Sequence, residues 1–348
     1  MIKNNIRKKN PLEKLKSSMV VSNFNRINTP KINNNNNILI IAKLTLFEKQ
    51  NSSNRFNFLN FLNTKNNIKV IEDSSDIIID GWIIENNWNP DIILYYFLSH
   101  LPVWLDINIK NFKNINIKKY MIFEDCIYTD EIKMLYNKYN FSNVLIPTYN
   151  DNITTFFNNN NITYVLFGYY IDTNIFKKIN NIENKYDILY YGTQYLPVYP
   201  LREKIYKVLK KLQSNSKYKI QIIEHKSYDK NTFKLPMDEE LCMLINQSRF
   251  CISTSSKYDL LLKKYIEIPL CGSTIIGNIP SKYTNELSGK MVNIDFNANE
   301  NEIEKIILEA LENKYIDEEN NTSLLTTHMK NNYRFDIGYK NLCNICNN

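Results

Sequence analysis

Between Ser255 and Pro280 the chain reads SSKYDLLLKKYIEIPLCGSTIIGNIP, a stretch that gathers two carboxylates, Asp259 and Glu267, with two lysines, Lys263 and Lys264. An ionised carboxylate accepts hydrogen bonds from a pair of hydroxyls, and such charged bonds are about twice as strong as neutral ones. A lysine neutralises a phosphate. The spacing also has a plainer reading: Asp259, Lys263 and Glu267 stand at i, i+4 and i+8 and would make an exposed ion-pair ladder on a helix, worth about 0.2–0.5 kcal/mol per pair. Ser255 and Ser256 suit a helix cap, Gly272 suits a helix end, and an apolar β-like run to Ile276 follows. The expected unit is therefore a helix that starts near Ser255 to Tyr258 and feeds a strand through Cys271-Gly272. Joined in this way, helix and strand form one unit of a parallel α/β sheet, and such sheets bind ligands at their strand ends.

Two further places follow apolar runs and would lie at strand ends, Ser99-His100 and Glu124-Asp125-Cys126. His100 and Asp125 are candidate bases there, since either side chain can take a proton from a hydroxyl. Several familiar chemistries lack their residues. The first apolar run, Ile38 to Ile41, passes into Ala42-Lys-Leu-Thr with no glycine, so the dinucleotide fingerprint is missing. A Walker phosphate loop, a Gly-x-Ser-x-Gly elbow and a His-Glu-x-x-His pair are missing as well. Cys343-x-x-Cys346 has no second Cys or His pair to complete a zinc site, and no Asp-x-Asp follows a strand, so no metal is expected.

The elements that must position these residues are legible as short apolar runs at βα intervals. In the first half they are Ile38 to Ile41, Ile68 to Ile71, Asp76 to Ile79, Ile92 to Phe97, Tyr120 to Phe123 and Val144 to Ile146. After Tyr164 a second series begins: a strand over Tyr186 to Tyr191 with a turn at Gly192-Thr193, an amphipathic helix over Leu201 to Leu212, and a strand over Lys219 to Ile223. A helix over Met237 to Ser248, a strand over Phe250 to Ser253 and a later helix over Asn301 to Leu311 complete it. The expected fold class is α/β, two tandem Rossmann-like domains with a cleft between them. The boundaries are residues 38–172 for the first domain and 173–325 for the second, with a C-terminal tail at 326–348.

The 348 residues carry a net charge of +7, and all of it lies in residues 1–37, which hold eight Lys or Arg against Glu13 alone. That segment ends in Asn33 to Asn37 and reads as a basic low-complexity tail that contacts an acidic partner or is simply solvated. The remainder is formally neutral, which argues against nucleic acid as the partner. Abundant Asn, Ile, Lys and Tyr indicate an AT-rich coding sequence, of the kind found in large DNA viruses and some protists. With six scattered cysteines, no apolar run near 20 residues and no leader-like segment, a cytoplasmic protein is expected.

Four stretches in order, Tyr186-Asp-Ile-Leu-Tyr-Tyr-Gly-Thr193, Tyr199-Pro-Leu-Arg202, Leu244-Ile-Asn-Gln-Ser-Arg-Phe-Cys-Ile-Ser253 and Lys264-Tyr-Ile-Glu-Ile-Pro-Leu-Cys-Gly272, resemble the nucleotide-sugar-binding domain of GT-B glycosyltransferases. The closer likeness is to the group 1 and CgeB-like families, and it covers roughly residues 160 to 310. Asp172-x-x-x-Phe176 is similar to a pair these enzymes carry near the interdomain link. The resemblance implies a metal-independent transferase that moves a sugar from a nucleotide donor to a glycan, protein or small-molecule acceptor. A non-catalytic binding scaffold and a nucleotide-sugar epimerase are the alternatives.

By the same resemblance Glu267 would bind the ribose hydroxyls and Arg202 and Lys264 the diphosphate. Gly192 and Thr193 would allow close backbone approach, Gly272 is counted with the binding residues, Ser256 and its neighbours would offer N–H groups to phosphate, and Tyr258 would either stack on the base or pack in the core or on the surface. Asp259, eight residues before Glu267, is similar to the first acid of the Glu-x7-Glu pattern of retaining enzymes, with Asp for Glu and without the usual glycine after it. The donor is a substrate, so no cofactor is implied.

Overall fold

The computed structural model describes residues 36–44, 53–97, 106–214, 217–225, 238–312 and 318–347. His100 and nearly all of the basic segment 1–37 lie outside the described residues. Short β-branched and aromatic runs make the first sheet: β1 (Ile38–Ala42), β2 (Ile68–Glu72), β3 (Ile92–Phe97), β4 (Lys118–Phe123), β5 (Asn143–Ile146) and β6 (Tyr164–Leu166). They pair in the order β2-β1-β3-β4-β5-β6, parallel throughout. β1 and β3 are buried along their whole length, as strands covered on both faces must be. Their side chains alternate between two apolar clusters, with Leu39, Ile41 and Tyr95 on one face and Ile38, Ile40 and Tyr96 on the other. The crossovers carry α1 (Ser53–Asn63), α2 (Ile79–Asn86), α3 (Thr129–Tyr139) and α4 (Asp151–Asn159).

Asp76 to Ile79, expected as a strand, is not one. Ile78 makes a single bridge to Lys110, and Ile79, fully buried, opens α2. Three isoleucines are too few to show a period, and the residues after them continue helically.

The second sheet holds β7 (Tyr186–Thr193), β8 (Ile220–His225), β9 (Ser248–Ile252), β10 (Thr274–Gly277) and β11 (Val292–Asn293) in the order β11-β10-β9-β7-β8, again parallel. Gly192 and Thr193, expected as a turn, extend β7 and pair with Glu224 and His225. Around this sheet lie α5 (Pro200–Gln213), α6 (Asp238–Asn246), α7 (Lys264–Leu270), α8 (Thr284–Leu287) and α9 (Glu300–Leu311). α5 starts on a proline at its first turn and buries Ile205, Val208, Leu209 and Leu212 as one stripe. A capping box of Asn299 and Glu302 starts α9.

The helix expected from Ser255 begins only at Lys264, and residues 253–263 are irregular. Serine side chains compete with helical bonding, and here the Ser256 hydroxyl accepts from Tyr258 N at 3.2 Å while its carbonyl accepts from Asp259 N at 2.9 Å. Asp259 then takes a left-handed φ of 55°, which a helix cannot continue through. The i, i+4, i+8 ladder therefore does not form.

The chain ends in α10 (Glu318–Asn332) and α11 (Phe335–Asn347). Leu325 and Met329 of α10 join the core of the second half, whereas Phe335, Leu342 and Cys346 of α11 join that of the first. Among the described residues no helix is long and apolar enough to cross a membrane.

Candidate active site

Strand order reverses once in each sheet, between β1 and β3 and between β7 and β9, and a parallel sheet opens a crevice at the carboxyl ends there. Residues 253–263, leaving β9, reach the carboxyl ends of the first sheet. Asn150 Nδ2 donates to Tyr258 O at 2.5 Å, Leu261 N donates to Thr148 Oγ1 at 3.2 Å, and Lys263 Nζ lies 3.7 Å from Glu124. The two crevices thus flank one cleft.

On the second-half wall Arg202, 3 % exposed in the first turn of α5, is held by neutral acceptors. Its Nε donates to Thr254 Oγ1 at 3.2 Å, Nη2 to Thr254 O at 3.3 Å and Nη1 to Thr193 O at 3.1 Å, with the guanidinium 3.9 Å over the Tyr199 ring. Lys264 Nζ donates to Tyr191 O and sits 3.9 Å over that tyrosine's ring. Burial, then the charge of Arg202, pushes the Lys264 amine well below the lysine range, while Glu267 pulls the other way. Gly192 makes room for both cations. A Cβ on it would lie 2.6 Å from Lys264 Nζ and 3.7 Å from Arg202 Nη1, and its φ of +102° suits glycine.

Glu267 projects from the first turn of α7, half-buried, and no hydrogen bond or ion pair from the described residues reaches its carboxylate. Burial raises its pKa, against the charges of Lys263 and Lys264. Among the described residues, two cations with no carboxylate in contact and one carboxylate with no hydrogen bond therefore converge at the ends of β7 and β9.

The first-half wall centres on Glu124 at the end of β4, 5 % exposed. It accepts from Tyr96 OH and Arg55 and pairs with Lys263. Burial opposes ionisation of Glu124, but Arg55, Lys263 and the hydrogen bonds from Arg55 and Tyr96 outweigh it and hold the carboxyl below its ordinary value. Lys263 is pushed down to about 8, by burial first and by Arg55 second, with Glu124, Glu267 and Asp125 opposing. Asp125 is half-buried next to Glu124, and its charge helps burial to raise the phenols of Tyr128 in the first half and Tyr199 in the second.

Of the residues singled out in the sequence, Arg202, Lys264, Gly192, Thr193 and Glu267 come together, and Asp125 stands on the facing wall. Asp259 does not join them, because its carboxylate accepts from Ser281 N at 3.0 Å and from the Ser281 hydroxyl. Ser256 is committed to its own turn, and Tyr258 packs against the apolar cluster of the first half. Gly272 precedes β10 and so lies at the opposite end of the sheet, beside a cavity of 1130 Å³ lined by Lys178, Arg249 and Thr326. Arg55 and Tyr96 were not signalled in the sequence, and Lys263 was signalled only as a rung of the ion-pair ladder. A positional cue existed for Arg55, in the first turn of the helix that follows β1. Among the described residues no group of metal-binding side chains occurs.

The chain has the two-domain α/β architecture of the GT-B glycosyltransferases. Among solved structures it is similar to HepE of Anabaena, determined in complex with UDP and glucose, with a TM-score of 0.56 at 9% identity over 89% of this chain and 99% of that one. A glycosyltransferase from Rickettsia africae gives 0.56 at 13% identity, covering 90% and 98%, and the sucrose-phosphate synthase of Thermosynechococcus elongatus gives 0.57 at 7%, covering 88% and 97%. At these identities the likeness is one of fold. No family model matches the sequence, and no curated protein is significantly similar to it.

Proposed function

We propose that the protein transfers a sugar from a nucleoside-diphosphate-sugar donor, bound in the second half, to an acceptor hydroxyl presented by the first. The observation that carries this reading is the meeting of Arg202, Lys264 and Glu267 at the strand ends of the second sheet, in a fold shared with HepE, which was solved with UDP-glucose. Arg202 and Lys264 face the diphosphate and stabilise the charge it gains as the bond to the anomeric carbon breaks. Thr193 and Gly192 admit it closely, and Glu267 accepts hydrogen bonds from the ribose hydroxyls. With these cations in place the transfer needs no metal. Glu124 is neutralised by Arg55 and Lys263, and Asp125, half-buried beside it on the wall facing the donor, is assigned to take the acceptor proton. The new bond forms from the acceptor oxygen to the anomeric carbon, and the nucleoside diphosphate leaves.

A panel of nucleotide sugars with calorimetric binding of UDP tests this. Transfer or slow hydrolysis of one donor is expected, and Glu267→Ala should weaken UDP binding at least about tenfold, 1.4 kcal/mol. Full UDP affinity in that variant would remove Glu267 from the site. Binding without turnover would mark a non-catalytic module, and sugar interconversion an epimerase.

A further inference from the structure

Two thiols meet in the second half, away from the cleft. Cys242 of α6 and Cys271, the residue after α7, are each 2 % exposed, and the Cys271 S–H donates to Cys242 Sγ across 3.7 Å. Asn246 Nδ2 also donates to Cys242 Sγ, at 3.4 Å, and the Cys242 S–H donates to Lys177 O at 3.6 Å. Cys271 and Asn246, both in contact with Cys242 Sγ, line the 1130 Å³ cavity at the amino ends of the strands, which brings a small oxidant to the Cys271 side of the pair.

We propose that Cys242 and Cys271 are a reversible modification site, a dithiol that a hydroperoxide converts to a disulfide. The chemistry selects this pair among the six cysteines, all free. Burial pushes Cys126, Cys251 and Cys346 up to about 12, which keeps those thiols protonated, and raises Cys343 as well. Cys271 is raised by its contact with Cys242 and by burial, whereas Cys242 is pushed down to about 6, chiefly by the hydrogen bond from Cys271. The contact thus favours loss of a proton from Cys242 and opposes it at Cys271. The Cys242 thiolate attacks one peroxide oxygen, breaking the O–O bond to give Cys242 sulfenic acid and, with one proton, water. Cys271 sulfur then attacks the sulfenic sulfur and a second water leaves, so that two thiols and one hydrogen peroxide give one disulfide and two waters. The bond ties α6 to the end of α7, the helix that carries Lys264 and Glu267. In a reducing compartment such disulfides are transient, and thiol reductants reopen them.

The test treats the reduced full-length protein with stoichiometric hydrogen peroxide, blocks remaining thiols by alkylation and maps the digest by mass spectrometry. The expected result is loss of two thiols, a cross-linked peptide pair holding Cys242 and Cys271, and its disappearance with dithiothreitol. In Cys271→Ser a dimedone adduct on Cys242 should accumulate, and in Cys242→Ser Cys271 should stay alkylatable. Alkylation of both residues in the treated wild-type protein would overturn the proposal, as would a first-formed disulfide between Cys343 and Cys346. The wild-type digest decides the matter even where a variant does not fold.

Discussion

Arg202 and Lys264 are buried or half-buried against carbonyls, a hydroxyl and aromatic faces, and a positive charge kept in such a place, with no carboxylate of the described residues in contact, is costly to the fold. A protein that retains it is poised for an anion. Lys264→Met should accordingly leave thermal stability unchanged or raise it by about 1 kcal/mol while weakening UDP binding at least about tenfold. A purely structural lysine would lose stability and keep affinity. Lys263 permits a prediction in pH. Arg55, Glu124, Asp125 and Glu267 act on it, and its folded pKa of about 8 lies below that of an unfolded lysine, about 10.4. Below pH 8 both states hold the proton. Between about 8 and 10.4 the unfolded chain holds it and the folded chain does not, so stability from this group rises with pH, by at most about 3 kcal/mol across the window. Denaturation of wild type and Lys263→Met at pH 7 and pH 10 isolates the effect, because groups common to both cancel. The wild type should gain relative to the variant, and an equal pH response in the two would show that Lys263 is not shifted.

Elements place these residues through the carboxyl ends of β7, β9 and β10. Gly277 closes β10 against the end of β9 so tightly that a Cβ on it would lie 1.6 Å from Ser253 O, a backbone atom that cannot turn aside. Gly277→Ala must push the two strand ends apart, disturbing Thr254 and with it Arg202. The expected cost exceeds about 3 kcal/mol, as for overpacking without a compliant neighbour, and a drop in melting temperature with loss of UDP binding would show it. A soluble variant of normal stability would contradict the packing of these strands. Most strands and α5 are legible in the sequence because a buried parallel strand is a short apolar run and α5 repeats its apolar residues every three or four positions. Failures occur where the deciding interaction is not local. Residues 253–263 satisfy helix-cap rules, but Leu260 packs into the core of the first half and Leu261 into that of the second, and spanning both precludes a continuous helix. Asp259 and Glu267, which would share one face of an ideal helix, are parted by that choice. Gly192 presents locally as a turn residue, and only the pairing with β8 and the two cations behind it reveal its place in β7.

At the scale of the whole molecule, the facing wall of the cleft is drawn from α1, β3, β4 and the loop before α7, so that Arg55, Tyr96, Glu124 and Lys263 meet although no local pattern links them. The chain passes between the halves at residues 167–185 and again at residues 332–335, and the two passages touch. Ile171 N donates to Tyr333 O at 2.7 Å, and Asn341 Nδ2 to Tyr170 OH at 2.8 Å. The second passage is secured by α11, whose Phe335 ring lies 5.1 Å from that of Phe58 and 5.6 Å from that of Phe61. Gly338 admits the helix, since a Cβ there would lie 2.7 Å from the Tyr170 ring and 2.9 Å from that of Phe58. Phe335 is thus an anchor of the first half supplied by the end of the chain, remote from the cations of the second. Phe335→Ala should cost about 3–5 kcal/mol, the usual range for deleting a buried ring. Below its lowered melting temperature it should bind UDP as the wild type does, because Arg202, Lys264 and Glu267 belong to the other half. Urea denaturation paired with calorimetry checks both sides: a variant that keeps full stability would detach α11 from the core of the first half, and one that loses UDP affinity while still folded would show that the anchor also sets the geometry of the cleft.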